Sequence, residues 1–258
     1  MRSLSLAMAI GAAFLIASPI ALADWDPGDP YKMHFPQMPD MNGWDVNSTY
    51  YEGLADDWMC SESGFVRDFH IWGSWLGDVQ DEINFIHSAI WSNDPVGDQG
   101  VPGEDPDNQW SKPLERLWHY DNQPGEFTVR YWGDGDQGWY NPLTGDVFES
   151  DHTGTWQYNF YFDEAEAFYQ EQGEIYWLEI SVRLPFDSTT KWGWKNSVDH
   201  FEDDAVWGHD EPYTIWEAEL YEPPDFTQSL DLAFVITPEP TTLVLAALGG
   251  LALLRRRR

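Results

Sequence analysis

Apolar and polar side chains alternate along much of this chain with the period of two that an extended strand imposes. Phe65-Val66-Arg67-Asp68-Phe69-His70-Ile71-Trp72 sets Phe65, Arg67, Phe69 and Ile71 on one face and Val66, Asp68, His70 and Trp72 on the other. Phe127–Trp132 and Trp156–Phe162 alternate more cleanly, as do Ile175–Leu184, Tyr213–Tyr221 and Leu230–Ile236. Ile83–Trp91 and Leu114–Tyr120 fit the same pattern. Aromatic and β-branched residues suit a pleated surface, and Gly, Pro, Asn and Asp punctuate the gaps. Eight to ten short strands predict an all-β chain: an antiparallel β-sandwich of jelly-roll type, in a single domain. One stretch departs from this period. Asp163–Gly173 carries a capping Asp, acids in its first turn and a terminal Gly, which predicts one short helix of two or three turns. Residues 93–109 hold almost nothing apolar and read as a long loop.

The two ends follow other patterns. Residues 1–23 pair Arg2 with an apolar run from Leu4 to Ile16 and the small-x-small triplet Ala21-Leu22-Ala23. That is the pattern of a signal helix cut by signal peptidase after Ala23, leaving a mature chain that begins at Asp24. Residues 238–258 open on Pro238-Glu239-Pro240, continue through the uncharged run Leu243–Leu254, and close on Arg255, Arg256, Arg257 and Arg258. Twelve helical residues rise roughly 18 Å, short of the roughly 30 Å of bilayer hydrocarbon. The run therefore predicts a marginal membrane helix whose arginines stay on the cytoplasmic side. Three ordered parts, Pro-Glu-Pro, apolar helix and arginine cluster, make this tail resemble the PEP-CTERM sorting signal, also known as the ice-binding protein C-terminal motif. The resemblance implies that an exosortase cuts near Pro238-Glu239-Pro240. The protein would be held in the inner membrane until then and afterwards sit at the cell surface or outside it. It also implies an association with exopolysaccharide and says nothing of ice.

Between these ends lie residues 24–237. They hold 44 acidic and eight basic residues, a formal charge of −36, and 41 aromatics. Such a charge excludes nucleic acid, whose recognition needs basic groups that displace phosphate counterions. The aromatic content excludes a disordered acidic tail. A single Cys60 excludes internal disulfides and multi-cysteine metal sites.

Several segments together resemble an uncharacterised domain that recurs in exported bacterial proteins, often ahead of such a tail. They are Leu54-Ala55-Asp56-Asp57-Trp58 with Cys60, Asp68–Trp75, Ile175–Glu179, Gly193–Ser197 with His200, Asp203–Trp207, and Asp231–Ile236. The resemblance implies one β-rich domain and no assigned activity.

Candidate chemistry is sparse. Trp139-Tyr140 and Trp192-Gly193-Trp194 lie in turn-rich surroundings where exposed rings would stack on sugars. Asp134-Gly135-Asp136 and Asp203-Asp204 offer hard oxygens for a weak structural calcium, although the remaining positions of an EF-hand loop are missing. His70, His200 and His209 lack metal-ligand spacing. No nucleophile elbow, phosphate loop or other catalytic constellation is legible. The expectation is an exported envelope or matrix protein that is structural or binds glycan, with no cofactor beyond that calcium. A glycoside-active enzyme on a jelly-roll scaffold is the alternative.

Overall fold

The alternating segments become strands because each buries an aromatic or branched face against a second sheet. The computed structural model describes residues 24–97, 99–100, 103, 107–209 and 216–238. The expected signal helix with Ala21 and Ala23, the tail helix, Glu239, Pro240 and Arg255–Arg258 lie outside them. Fourteen strands occur among the described residues: β1 (Trp44–Asn47), β2 (Glu52–Met59), β3 (Gly64–Val66), β4 (Asp68–Trp75), β5 (Phe85–Asp94), β6 (Lys112–Asn122), β7 (Phe127–Asn141), β8 (Asp146–Tyr161), β9 (Phe168–Gln170), β10 (Ile175–Arg183), β11 (Trp192–Lys195), β12 (Val206–His209), β13 (Trp216–Glu219) and β14 (Phe234–Ile236).

Sheet one has the order β11-β1-β7-β8-β4-β14, and a further pairing of β11 with β4 closes five of its strands into a barrel-like ring. Within it β1 runs parallel to β7, and its other pairings are antiparallel. Sheet two, β13-β12-β2-β10-β5-β6, is antiparallel throughout. β3 and β9 form a separate two-stranded ribbon. The all-β, antiparallel expectation from the period of two therefore holds.

One core lies between the sheets. Leu54, Trp58, Ile90, Leu178 and Ile180 face it from sheet two, and Val46, Ile71, Tyr158, Phe160 and Trp194 from sheet one. Phe234 ties the two together, edge-on to Trp58 at 6.2 Å and to Trp194 at 6.1 Å. The opposite face of sheet one is turned inward by closure of the ring, and it is polar. Ser74, Gln137 and Thr155 share hydrogen bonds there, and Asp45 accepts from Lys195 Nζ at 3.1 Å and from His152 Nε2 at 2.8 Å. Trp25, just past the expected cleavage point, packs edge-on against Trp72 at 6.0 Å. Its carbonyl accepts from Arg130 and Gln157 at 2.6 and 2.8 Å.

The expected helix at Asp163–Gly173 does not form. Glu166 and Ala167 donate back to the Asp163 carbonyl, which makes a single turn. Phe168–Gln170 then pair with Gly64–Val66 as β9. Tertiary contacts overrode the local capping signal: Phe168 packs edge-on against Tyr176 at 5.2 Å, and the Gln170 amide donates to the carbonyls of Lys32 and Glu62. The predicted strand at 65–72 also breaks at Arg67, between β3 and β4.

Gly135 in β7 shows how closely the chain approaches sheet one, because a Cβ there would overlap the Met41 carbonyl oxygen. Backbone cannot yield as a flexible side chain does. Gly135→Ala is expected to cost about 3 kcal/mol, the upper range for overpacking. Denaturant unfolding followed by tryptophan fluorescence measures it, and a loss below about 1 kcal/mol would contradict the packing described.

Candidate functional site

An open groove of about 320 Å³ runs along the seam where the connections at 76–84 and 123–126 join the two sheets. Its floor is aromatic and apolar, formed by Trp75, Phe127, Val129, Trp156 and Tyr158, with Ile83, Pro124 and Gly125 on the far wall and Gln80 and Asp81 at the rim. The register explains the floor. In β7 and β8, Phe127 pairs with Phe160, Val129 with Tyr158 and Tyr131 with Trp156, so these rings share one face. Tyr131 stands edge-on to Trp156 at 6.1 Å. Gly154 lies two residues before Trp156 on the same face, and a Cβ there would run into the indole, so this glycine makes room for the ring. Trp156 is half-buried, Val129 and Tyr131 are exposed, and Gln80 and Asp81 reach solvent. A second recess of about 230 Å³ shares Gly125 and continues past the turn, lined by Tyr120, Glu126, Tyr161, Phe162, Asp163 and Glu166 among others.

The residues singled out for sugar stacking lie elsewhere, and three are corrected. Trp139, Trp192 and Trp194 are buried and present no face to a ligand. Trp192 donates to the Tyr158 hydroxyl at 2.9 Å, Trp194 donates to the Ala233 carbonyl at 2.9 Å, and Trp139 stands edge-on to His152. Gly138 and Gly193, which made these stretches look like turns, instead clear space, because a Cβ on them would collide with Trp44 and Trp139 respectively. Tyr140 is half-buried beside Phe226.

The oxygens considered for calcium fall into two separate pairs. Asp134 and Asp136 lie in β7 of sheet one; Asp136 donates its backbone N–H to Asn42. Asp203 and Asp204 precede β12 of sheet two and accept from the hydroxyls of Ser111 and Ser229. Among the described residues no group of three or more His, Cys, Asp or Glu side chains is placed to hold a metal ion. The histidines are similarly dispersed. His70 is buried against Asn159 and Asp68, His200 lies 3.5 Å from Asp231, and His209 lies 3.3 Å from Glu217. Burial holds His70 down to about 4 and pushes Asp68 up to about 7. The neutral imidazole thus donates from Nδ1 to Asn159, and its Nε2 lies 3.3 Å from the Asp68 carboxyl. Cys60 is a buried free thiol that donates to the Glu62 carbonyl.

The most perturbed acids lie apart from the groove. Asp56 and Asp57 are adjacent on β2, so they point to opposite faces of sheet two. Asp56 accepts from Gln37, from the Leu232 amide and from the Asp57 amide. Both Asp57 oxygens are buried with no hydrogen-bond partner. Burial, and then the charges of Asp56, Asp231, Asp203 and Glu202, raise Asp57 well above the usual carboxylate range. Sequence reading missed these acids because hydrophobic patterning counts charged residues as surface positions. It missed Trp156 as a site residue because a strand tryptophan reads as core; the Gly-x-Trp spacing at 154–156 was the available signal.

Comparison with known families completes the description. A family of domains of unknown function, DUF7901, matches residues 33–237. This chain belongs to the DUF7901 family. The PEP-CTERM protein-sorting motif matches residues 237–258, starting where the DUF7901 match ends. No curated protein and no solved structure matches the chain. It is therefore an exported protein that carries a DUF7901 domain and is sorted to the cell surface by exosortase-dependent processing. Pro238 follows directly on Thr237, which is itself tied by its amide and hydroxyl to the Asp68 carbonyl. The sorting motif thus begins within one residue of the folded sheet.

Proposed function

We propose that the DUF7901 domain is a glycan-binding module of the cell envelope, and that the seam groove is its binding surface. The observation that carries this reading is the aromatic floor of the groove, with Trp156 half-exposed beside Phe127 and Val129 and with Gln80 and Asp81 at the rim. A sugar ring has apolar C–H faces and polar edges. It matches a site where a flat ring lies beside a few placed amide and carboxylate oxygens. The recess that shares Gly125 with the groove adds room for further sugar units. Delivery to the cell surface would place it among extracellular polysaccharide, and signal peptidase would release the mature domain at Asp24.

Binding is favoured over hydrolysis because of the acids at the groove. Glycoside hydrolysis uses two carboxyl groups facing one bond, one of them with a raised pKa. The acids that line the groove and the adjoining recess, Asp81, Glu126, Asp163 and Glu166, are all exposed to solvent.

Trp156→Ala removes the platform while leaving a solvent-open site that can relax. It is expected to weaken binding of neutral oligosaccharide at least about tenfold, in the range of a single buried aromatic contact, with an unchanged near-ultraviolet circular dichroism envelope apart from the lost indole. Calorimetric titration of the variant against wild type measures it. Equal affinity would remove the groove from the account.

A further inference from the structure

The domain's formal charge of −36 surrounds every cation with potential partners, so cations left without a carboxylate stand out. Among the described residues, Lys32 donates to the Phe65 carbonyl, and Arg67, Lys112, Arg130 and Lys195 face Glu164, Asp94, Asp24 with Asp26, and Asp45 respectively. Arg116 lies over Trp91. Arg116, Arg183 and Lys191 form no ion pair among the described residues, and the last two line the same recess.

That recess, about 160 Å³, is walled by Thr49, Tyr50, Tyr51, Phe186, Ser188 and Thr190 in addition to the two cations. The Arg183 guanidinium lies 4.4 Å from the Tyr50 ring centre and 5.2 Å from that of Tyr51. Tyr51 is more than half exposed at 55%, and Phe186 is fully exposed. Large apolar rings held in water beside an unpaired guanidinium are costly to keep unless something covers them. Glu52 is the acid that feels Lys191, and burial raises its carboxyl above the usual range, which makes it a poor counter-ion.

We propose that this recess binds an acidic sugar unit, a pyranose bearing a carboxylate, within a surface polysaccharide. A planar guanidinium held by two tyrosines presents its N–H fork to a carboxylate in bidentate fashion. Lys191, lining the same recess, adds a second charge, and Tyr51 and Phe186 offer faces for the sugar's C–H groups. The inference rests on the glycan reading for its ligand class alone; it concerns a different surface from the seam groove, with different residues and a different charge. A compact inorganic anion would use the two cations but would leave the rings uncovered.

The test titrates the full-length chain in mild detergent with trigalacturonate, with cellotriose and with sodium sulfate. Trigalacturonate is expected to bind saturably and to weaken with added salt. Arg183→Gln and the exposed Lys191→Gln are each expected to reduce its affinity at least about tenfold, while cellotriose binding survives both. Because Lys191 is exposed, its variant keeps the test informative even if Arg183→Gln disturbs Tyr50. Three results would overturn the proposal: no binding of trigalacturonate, binding unaffected by both charge variants, or sulfate competing as well as the sugar. Loss of cellotriose binding in Trp156→Ala alone bears on the seam groove and leaves this recess untouched.

Discussion

Lys195→Met is expected to destabilise the domain by about 3–5 kcal/mol, the usual cost of stranding one partner of a buried ion pair. Lys195, Asp45 and the His152 side chain are all inaccessible to solvent inside the ring of sheet one. Burial alone would raise the Asp45 carboxyl. The charge of Lys195, and the hydrogen bond and charge of His152, more than offset that and hold it below its ordinary value. Burial lowers the Lys195 ammonium, and Asp45 opposes the shift. Removing the ammonium leaves a buried carboxylate with His152 as its remaining strong donor. The rescue is as informative as the loss. Asp45→Asn combined with Lys195→Met is expected to cost less than Lys195→Met alone, because a neutral pair of similar shape strands no charge. Urea unfolding of wild type and the two variants measures both; a single-variant loss below about 1 kcal/mol would show that the ring interior is solvated.

The domain is also expected to lose stability as the pH rises from about 6.5 to 8, the reverse of common acid denaturation. Burial pushes Asp231 up to about 6 and Asp68 up to about 7, and raises Asp56 and Asp57 well above the ordinary carboxylate range. An acid whose pKa is higher folded than unfolded stabilises the fold fully below its unfolded pKa, near 4. That contribution fades as the pH climbs through the folded value. A shift of one unit corresponds to about 1.4 kcal/mol, so Asp68, moved about three units, contributes roughly 4 kcal/mol that is lost between about pH 4 and 8, whereas the roughly 3 kcal/mol of Asp231 is lost mostly below pH 6.5. Asp45, His34 and His70 have the opposite sign. The Asp45 pKa is depressed, so its contribution is lost only as the pH falls toward acid. Burial lowers His34 to about 3 and His70 to about 4, so their contribution grows until about pH 6.5 and is constant above it. Asp57→Asn is expected to flatten the profile, gaining on wild type steadily from pH 5 to pH 8. Melting curves across this range check it, and a wild-type melting temperature that rises toward pH 8 would contradict it.

These two networks mark where the sequence was hardest to read. β8 and β10 alternate visibly because their core-facing residues are apolar, as in Tyr176, Leu178, Ile180 and Val182 of β10. β1 and β2 hide the same period. Asp45 and the Asp56-Asp57 pair are charged residues at buried positions, and hydrophobic patterning counts such residues as surface. Lys195 and Asp45 compensate each other across neighbouring strands, a contact known only once β1 pairs with β11. Glycine misled in a related way. Gly193 reads as a turn residue between exposed tryptophans, yet it is clearance for the packed Trp139 ring. The local signal for a helix at 163–173 was genuine and yielded to the pairing of β9 with β3. The ends of the chain carried more. The tail's three ordered parts specified its sorting without reference to any fold, because a processing enzyme reads a short peptide.

The seam groove remains the centre of the account. Its most direct test is the binding of the purified protein to the extracellular polysaccharide of the cells that produce it, followed by tryptophan fluorescence and repeated with Trp156→Ala. The account predicts saturable binding with a change in emission, weakened at least about tenfold in the variant. Saturable binding of equal strength to both proteins, or no binding to either, would contradict it.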